Sequence, residues 1–186
     1  MSDLSVSELG VFDKLSKLKV DKSPGPDGIH PRVLYEIKTQ ITTALTCIFQ
    51  LSLGTGQLPE DWKKSTIIVI HKKGSKSDVA NYRPISLTCI CCKVFESIIK
   101  DHVFEYCFAN NIFSTKQFGF IKGRSTSLQL LNLVDYWTEC LEVGGQIDII
   151  YTDFEKAFDK IPFKRLISKL YSYGFNVGVI RWIESF

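Results

Sequence analysis

No apolar run in this sequence is long enough to cross a bilayer. A span needs about 20 mainly apolar residues. The uncharged stretch 39–59 is broken by Gln40, Gly54, Gly56, Gln57 and Pro59, and its apolar part covers only residues 41–53. It reads as a buried helix, and no membrane partner is expected. Internal repeats and low-complexity tracts are also missing, which sets aside solenoids and disordered linkers. Charge of one sign is scarce: 23 Lys and Arg against 20 Asp and Glu leave a net charge of +3, too little to identify an anionic partner. Paired metal-ligand motifs are scarce too. Cys89 and Cys92 form one C-x-x-C, and no second pair follows at zinc-ribbon spacing. His102 and Cys107 complete a site only in principle, so Cys47, Cys89, Cys91, Cys92, Cys107 and Cys140 are expected to be free thiols, buried by default. The residues ahead of them do not read as a secretory leader, which favours a reducing, intracellular setting, nuclear or cytoplasmic.

What is present is ordinary globular material. With 45% hydrophobic and 23% charged residues, 186 residues can bury a core as one domain, or one domain with part of a second. The first twenty residues mix charged and apolar positions and predict a short helix. In SPGPDGIHPRVL, Pro24, Gly25, Pro26 and Gly28 predict an irregular loop, and Pro31 suits the first turn of the next helix. Val33, Ile37, Ile41, Leu45 and Ile48 recur there at helical spacing and predict its buried face, with Gly54 and Gly56 closing it. The β-branched run 67–70 predicts a strand and RPISLT a returning one, together a hairpin with a long basic tip. Lys63, Lys64, His71, Lys72, Lys73, Lys76 and Arg83 gather around it, which suits phosphate and equally a solvated loop.

Further helices are predicted over residues 93–108 and 125–143, the second with Leu128, Leu131, Val134 and Leu141 as its buried stripe. IDIIYTD (147–153) has the composition of a buried strand ending at Asp153. Pro162 opens another helix, Gly174 closes it, and a last helix covers 177–185. A carboxylate at the C-terminal end of an apolar strand is a common way to hold a metal, because the strand fixes it and the loop beyond opens to solvent. On spacing alone the reading that Asp153 merely starts a turn is the stronger one. Asp159 is expected to cap the helix entered through Pro162.

Five blocks carry a resemblance that spacing alone does not give. YTDFEKAFDKI (151–161) resembles motif A of the reverse transcriptases of non-LTR retrotransposons. KSPGPDGI (22–29), LPEDWKKSTIIVIHKKG (58–74), NYRPISL (81–87) and QFGFIKGRST (117–126) resemble further blocks of that family, in its order. The pattern is most similar to jockey-like elements. The resemblance implies an α/β (α+β) fold, the fingers and partial palm of a right-hand polymerase. Residues 1–20 are then an N-terminal extension, 21–115 the fingers, and 116–186 the start of the palm. It implies an RNA-directed DNA polymerase that uses an RNA template, a DNA primer and deoxynucleoside triphosphates.

Two divalent ions drive such a reaction, one activating the primer hydroxyl and one holding the triphosphate. Magnesium is expected, with manganese as an alternative. By resemblance Asp153 binds both ions and the Phe154 carbonyl completes the triphosphate-side ion. Phe158 stands where the family places an aromatic under the incoming sugar, a steric gate favouring deoxynucleotides; without the resemblance it reads as core packing. Lys72 (or Lys73) and Arg83 resemble the fingers residues that grip the triphosphate. Gln117, Gly119, Gly123 and Arg124 resemble the segment that tracks template and primer backbone. Trp62, Trp137 and Trp182 are expected to be core or interface anchors.

One thing the family requires is missing. The palm's second catalytic turn, Tyr-x-Asp-Asp or Phe-x-Asp-Asp, has no counterpart, since no two aspartates are adjacent anywhere in the sequence. The expectation is a domain cut before that motif and inactive as an isolated polypeptide. The rival readings are a catalytically dead nucleic-acid-binding remnant and an RNA-dependent RNA polymerase, the latter disfavoured by Phe158.

Overall fold

The computed structural model describes residues 1–154 and 160–186. The elements follow the chain as α1 (Glu8–Ser16), α2 (Pro31–Glu36), α3 (Lys38–Thr55), β1 (Thr66–His71), β2 (Tyr82–Leu87), α4 (Ile90–Ala109), α5 (Thr126–Glu142), α6 (Phe163–Ser172) and α7 (Val177–Ser185), with short 3₁₀ turns at Glu60–Lys63 and Val79–Asn81. The architecture is mixed helix and strand, as expected. Two compact units divide it, residues 1–106 with 164–186, and residues 107–163.

The helix starts have chemical causes. Ser7, Ser125 and Asn176 each turn a side-chain oxygen onto amides of the following first turn, filling donors that the helix leaves free. Pro31 opens α2 at a position where its missing N–H costs nothing. At the other end of α3, Gly56 takes φ 68°, a left-handed cap that a β-carbon would resist. A β-carbon there would also sit 2.8 Å from the Arg181 Cβ.

The core lies in the first unit. Val11 and Leu15 of α1, Leu34, Leu45 and Phe49 of α2 and α3, Val94, Phe95 and Ile99 of α4, and Val179 and Trp182 of α7 form one buried cluster. Its centre is aromatic: Phe49 stacks on Phe95 at 4.5 Å with the rings nearly parallel, and Trp62 and Trp182 meet that pair edge-on. Cys89, Cys91, Cys92 and Cys107 are buried free thiols, whereas Cys47 is exposed. Loss of solvation pushes the Cys91 thiol up to about 11 and raises Cys92 further, so both stay protonated at neutral pH. The unit's ends are sewn down by polar contacts. The Met1 ammonium donates to the Gly174 carbonyl at 2.7 Å, Asn176 donates to the Asp3 carboxylate at 2.6 Å, and the Leu58 amide donates to the Ser185 hydroxyl.

Three expectations need correction. The helix entered at Pro31 is two helices, broken at Ile37, whose backbone (φ −94°, ψ 14°) leaves the helical region. The Lys38 ammonium covers the break, donating to the Tyr35 carbonyl at 3.1 Å and lying over the Tyr35 ring. The buried face also differs: Val33, Ile37 and Ile48 are exposed, and Thr42, Leu45, Thr46, Phe49 and Ser52 face inward. The inward hydroxyls bond to backbone carbonyls, Thr42 to Lys38, Thr46 to Thr42 and Ser52 to Gln57, which removes the cost of burying them.

The second correction concerns α5. Leu128, Leu131, Val134 and Leu141 are all exposed. A helical stripe is buried only when a second layer faces it. Residues 147–153, expected to be a buried strand, are not a strand. This is the third correction. They pair with no neighbour, and Ile149 and Ile150 are exposed. Among the described residues the only sheet is the β1–β2 pair.

The KSPGPDGI block gains a physical role here. A β-carbon on Gly25 would lie 2.6 Å from the Thr88 carbonyl oxygen and 2.7 Å from the Cys89 backbone, so the loop rests directly on the β2–α4 junction. Backbone cannot swing aside as a flexible side chain can. Gly25→Ala is therefore expected to destabilise the chain by about 1–3 kcal/mol, and to expose the Cys89 thiol, fully buried in the parent. Thermal unfolding and the rate of Cys89 alkylation check this. Parent-like melting with an unreactive Cys89 would count against it.

Candidate functional site

The hairpin is the best-defined candidate. β1 and β2 pair antiparallel with Ile70 opposite Arg83 and His71 opposite Tyr82. The ladder runs one step further, since the Lys72 amide donates to the Asn81 carbonyl at 2.8 Å. Residues directly opposite share a face, and residues two apart on a strand share it too. Arg83 and Lys72 therefore stand on one face as diagonal neighbours, about 7–8 Å apart at the backbone. Lys73 lies past the ladder, in the bend leading to Gly74.

The wider basic cluster sorts itself electrostatically. Lys63 pairs with Glu60 at 2.7 Å and Lys64 with Asp61 at 2.8 Å, and the Lys64 ammonium holds the Asp61 carboxyl below its usual range. Among the described residues Lys72, Lys73, Lys76 and Arg83 have no ion-pair partner, and all four are exposed. Four unneutralised cations on one short hairpin give it a local positive potential.

The second unit holds the other candidates. Gln117, Gly119, Gly123 and Arg124 come together in one loop. One Arg124 terminal nitrogen donates to the Thr115 and Gln117 carbonyls at 2.8 and 2.5 Å, and more weakly to that of Ser114, while the guanidinium lies over the Phe118 ring. Arg124 thus builds the loop with that nitrogen. Gly123 takes φ 80°, and a β-carbon on Gly119 or Gly123 would meet open space, so both glycines border accessible surface. Phe120, which sequence reasoning missed, combines a left-handed backbone (φ 62°) with 86% exposure. Nothing in its sequence neighbourhood signals that conformation.

Asp153 and Phe154 are exposed, in a segment that is neither helix nor strand. Both belong to the second unit and the hairpin to the first. Phe158, the expected sugar gate, and Asp159, the expected cap, lie outside the described residues, as does Glu155. The donors at hand, a carboxylate and a carbonyl, are hard oxygens of the kind magnesium prefers. They do not by themselves make a complete ion site, and no cluster of three or more metal-ligating side chains occurs among the described residues.

A helical body carrying a basic hairpin, followed by a loop-borne carboxylate, is compatible with part of a nucleic-acid polymerase. The chain belongs to the reverse transcriptase (RNA-dependent DNA polymerase) family, which matches residues 70–186. Its relatives are retrotransposon proteins. It is 31% identical over 160 residues to the RNA-directed DNA polymerase from mobile element jockey of Drosophila melanogaster, covering 86% of this chain and 18% of the relative. It is 31% identical over 170 residues to the retrovirus-related Pol polyprotein from type-1 retrotransposable element R1 of Bradysia coprophila, covering 90% and 16%. The chain thus spans less than a fifth of the length of these curated relatives. No helix among the described residues is long and apolar enough to cross a membrane.

Proposed function

We propose that this chain is the nucleotide-gripping part of an RNA-directed DNA polymerase of a non-LTR retrotransposon, copying an RNA template from a DNA primer. The observation that carries the reading is the placement of Lys72 and Arg83 on one face of the hairpin with no ion-pair partner. In this reading both cations bind the triphosphate of the incoming deoxynucleotide, Arg83 taking two oxygens at once. Residues 21–115 act as fingers and 116–186 begin the palm.

Gln117, Gly119, Gly123 and Arg124 track the template and primer backbone, the open faces of the glycines letting a strand approach the main chain. Asp153 and the Phe154 carbonyl contribute oxygens to divalent ions, magnesium by donor chemistry, which supply charge neutralisation and a more acidic primer hydroxyl. Phe158 excludes a 2′-hydroxyl by its bulk.

The test begins with the transcript that carries this reading frame. It is expected to encode, beyond these residues, a Tyr-x-Asp-Asp or Phe-x-Asp-Asp turn. The protein that includes both is expected to extend oligo(dT) on poly(rA), and Asp153→Ala to abolish extension. A protein with an intact turn that folds yet incorporates no deoxynucleotide would overturn the reading.

A further inference from the structure

Three consecutive carbonyls at the hairpin tip, those of Gly74, Ser75 and Lys76, each meet a side chain from the last rungs of the ladder. His71 Nε2 lies 3.1 Å from the Gly74 oxygen, Asn81 Nδ2 donates to the Ser75 oxygen at 3.0 Å, and the Tyr82 hydroxyl donates to the Lys76 oxygen at 2.9 Å. A carbonyl only accepts, so His71 must carry its proton on Nε2. The His71 and Tyr82 rings meet edge-on at 5.3 Å. As opposite partners in the register they share the face turned away from Lys72 and Arg83. The Asn81 side chain also packs over Gly74, where a β-carbon would come within 2.6 Å of Asn81 Nδ2 and the backbone takes φ 80°. His71, Asn81 and Tyr82 are half-buried, while residues 72–80 between them are exposed.

We infer that His71, Asn81 and Tyr82 are positioning residues, a lock at the base of the hairpin tip, with His71 and Tyr82 on its back, that holds the tip ready for Lys72 and Arg83 to close on a triphosphate. The inference rests on the reading of those two cations given above. An isolated two-stranded ribbon is marginally stable in water, and this one is exposed on both faces. Ordering a loose tip at the moment of binding would draw on the binding energy, so a tip ordered beforehand binds more tightly. The lock also turns three carbonyl oxygens, which would repel an anion, onto donors of the hairpin itself. None of the three side chains needs to touch the phosphate.

Titration of the 186-residue chain at low salt with inorganic tripolyphosphate and magnesium, followed through the backbone amide shifts of residues 72–83, tests this. The unmodified chain is expected to show saturable shifts that Lys72→Ala largely removes. Tyr82→Phe keeps the ring contact and loses only the hydroxyl, and it is expected to weaken binding about three- to tenfold, with helical circular dichroism and melting unchanged. His71→Phe is expected to behave alike, and His71→Gln, whose amide can reach the same carbonyl, to restore most of the affinity. Faster amide exchange at the tip should accompany each loss.

If Lys72→Ala removes binding while Tyr82→Phe and His71→Phe bind like the parent, the lock is overturned and the triphosphate grip stands. If the unmodified chain shows no saturable shift, the grip falls and the lock with it.

Discussion

Phe49→Ala is expected to lower the unfolding free energy of the chain by about 3–5 kcal/mol, the range for removing a fully buried aromatic ring. The ring is completely buried, stacks on Phe95 at 4.5 Å and meets Trp62 edge-on at 5.7 Å. Aromatic contacts of this geometry add about 0.5–1.5 kcal/mol beyond burial. The cavity would open where α3 and α4 meet, with Trp182 closing the far side of Phe95. Since domains of this size hold only about 5–15 kcal/mol in all, the loss would take a large share of the stability. Urea unfolding followed by tryptophan fluorescence is the measurement, because Trp62 and Trp182 both report on this cluster. Trp137→Phe, outside the cluster, is the companion variant and is expected to change little. A Phe49→Ala loss below about 1 kcal/mol, well under the core-truncation range, would show that these contacts do not organise the fold.

Phe49 also shows where the sequence was hard to read. The predicted face of α3 ran through Ile41, Leu45 and Ile48, because a search for apolar residues passes over Thr42, Thr46 and Ser52. Those three are buried with their hydroxyls on backbone carbonyls, which makes them apolar in effect and turns the inward face toward Phe49. The hairpin was legible because its β-branched run and its turn are local signals. Its register was not: only the pairing of Ile70 with Arg83 separates Lys72, still on the ladder, from Lys73 in the bend beyond it.

The stripe on α5 and the run IDIIYTD were read correctly as amphipathic and apolar, but burial depends on a facing layer that composition cannot supply. KSPGPDGI was legible as a block, whereas the tight approach of Gly25 to the Thr88 carbonyl is a property of the folded chain. Of the candidate site, the cationic pair and the Gln117–Arg124 loop were found from the residues quoted for the family. The lock of His71, Asn81 and Tyr82 was not, since its meaning lies in three backbone carbonyls that carry no sequence label.

The 186-residue polypeptide by itself is expected to incorporate no deoxynucleotide on a primed RNA template above an enzyme-free blank, however well it binds. Two-metal transfer needs ions about 3.5–4 Å apart, clamped on both the attacking and the leaving oxygen. Holding two dications that close requires several carboxylates around them, and the sequence offers Asp153 without any adjacent pair of aspartates. Glu155 and Asp159 are the nearest acidic residues beyond it in the chain. If they replaced the missing pair, the polypeptide would polymerise, and Asp153→Ala would extinguish the signal. That outcome would sink this prediction.

Binding obeys different physics. The exposed cations Lys72, Lys73, Lys76 and Arg83 each release counterions when they meet phosphate, so affinity for primed template should fall steeply with salt. Removing Lys72 and Arg83 together should flatten that slope by up to about two phosphate contacts' worth. Salt-dependent binding without incorporation, in one preparation, would locate the deficit in the carboxylates and leave the grip intact.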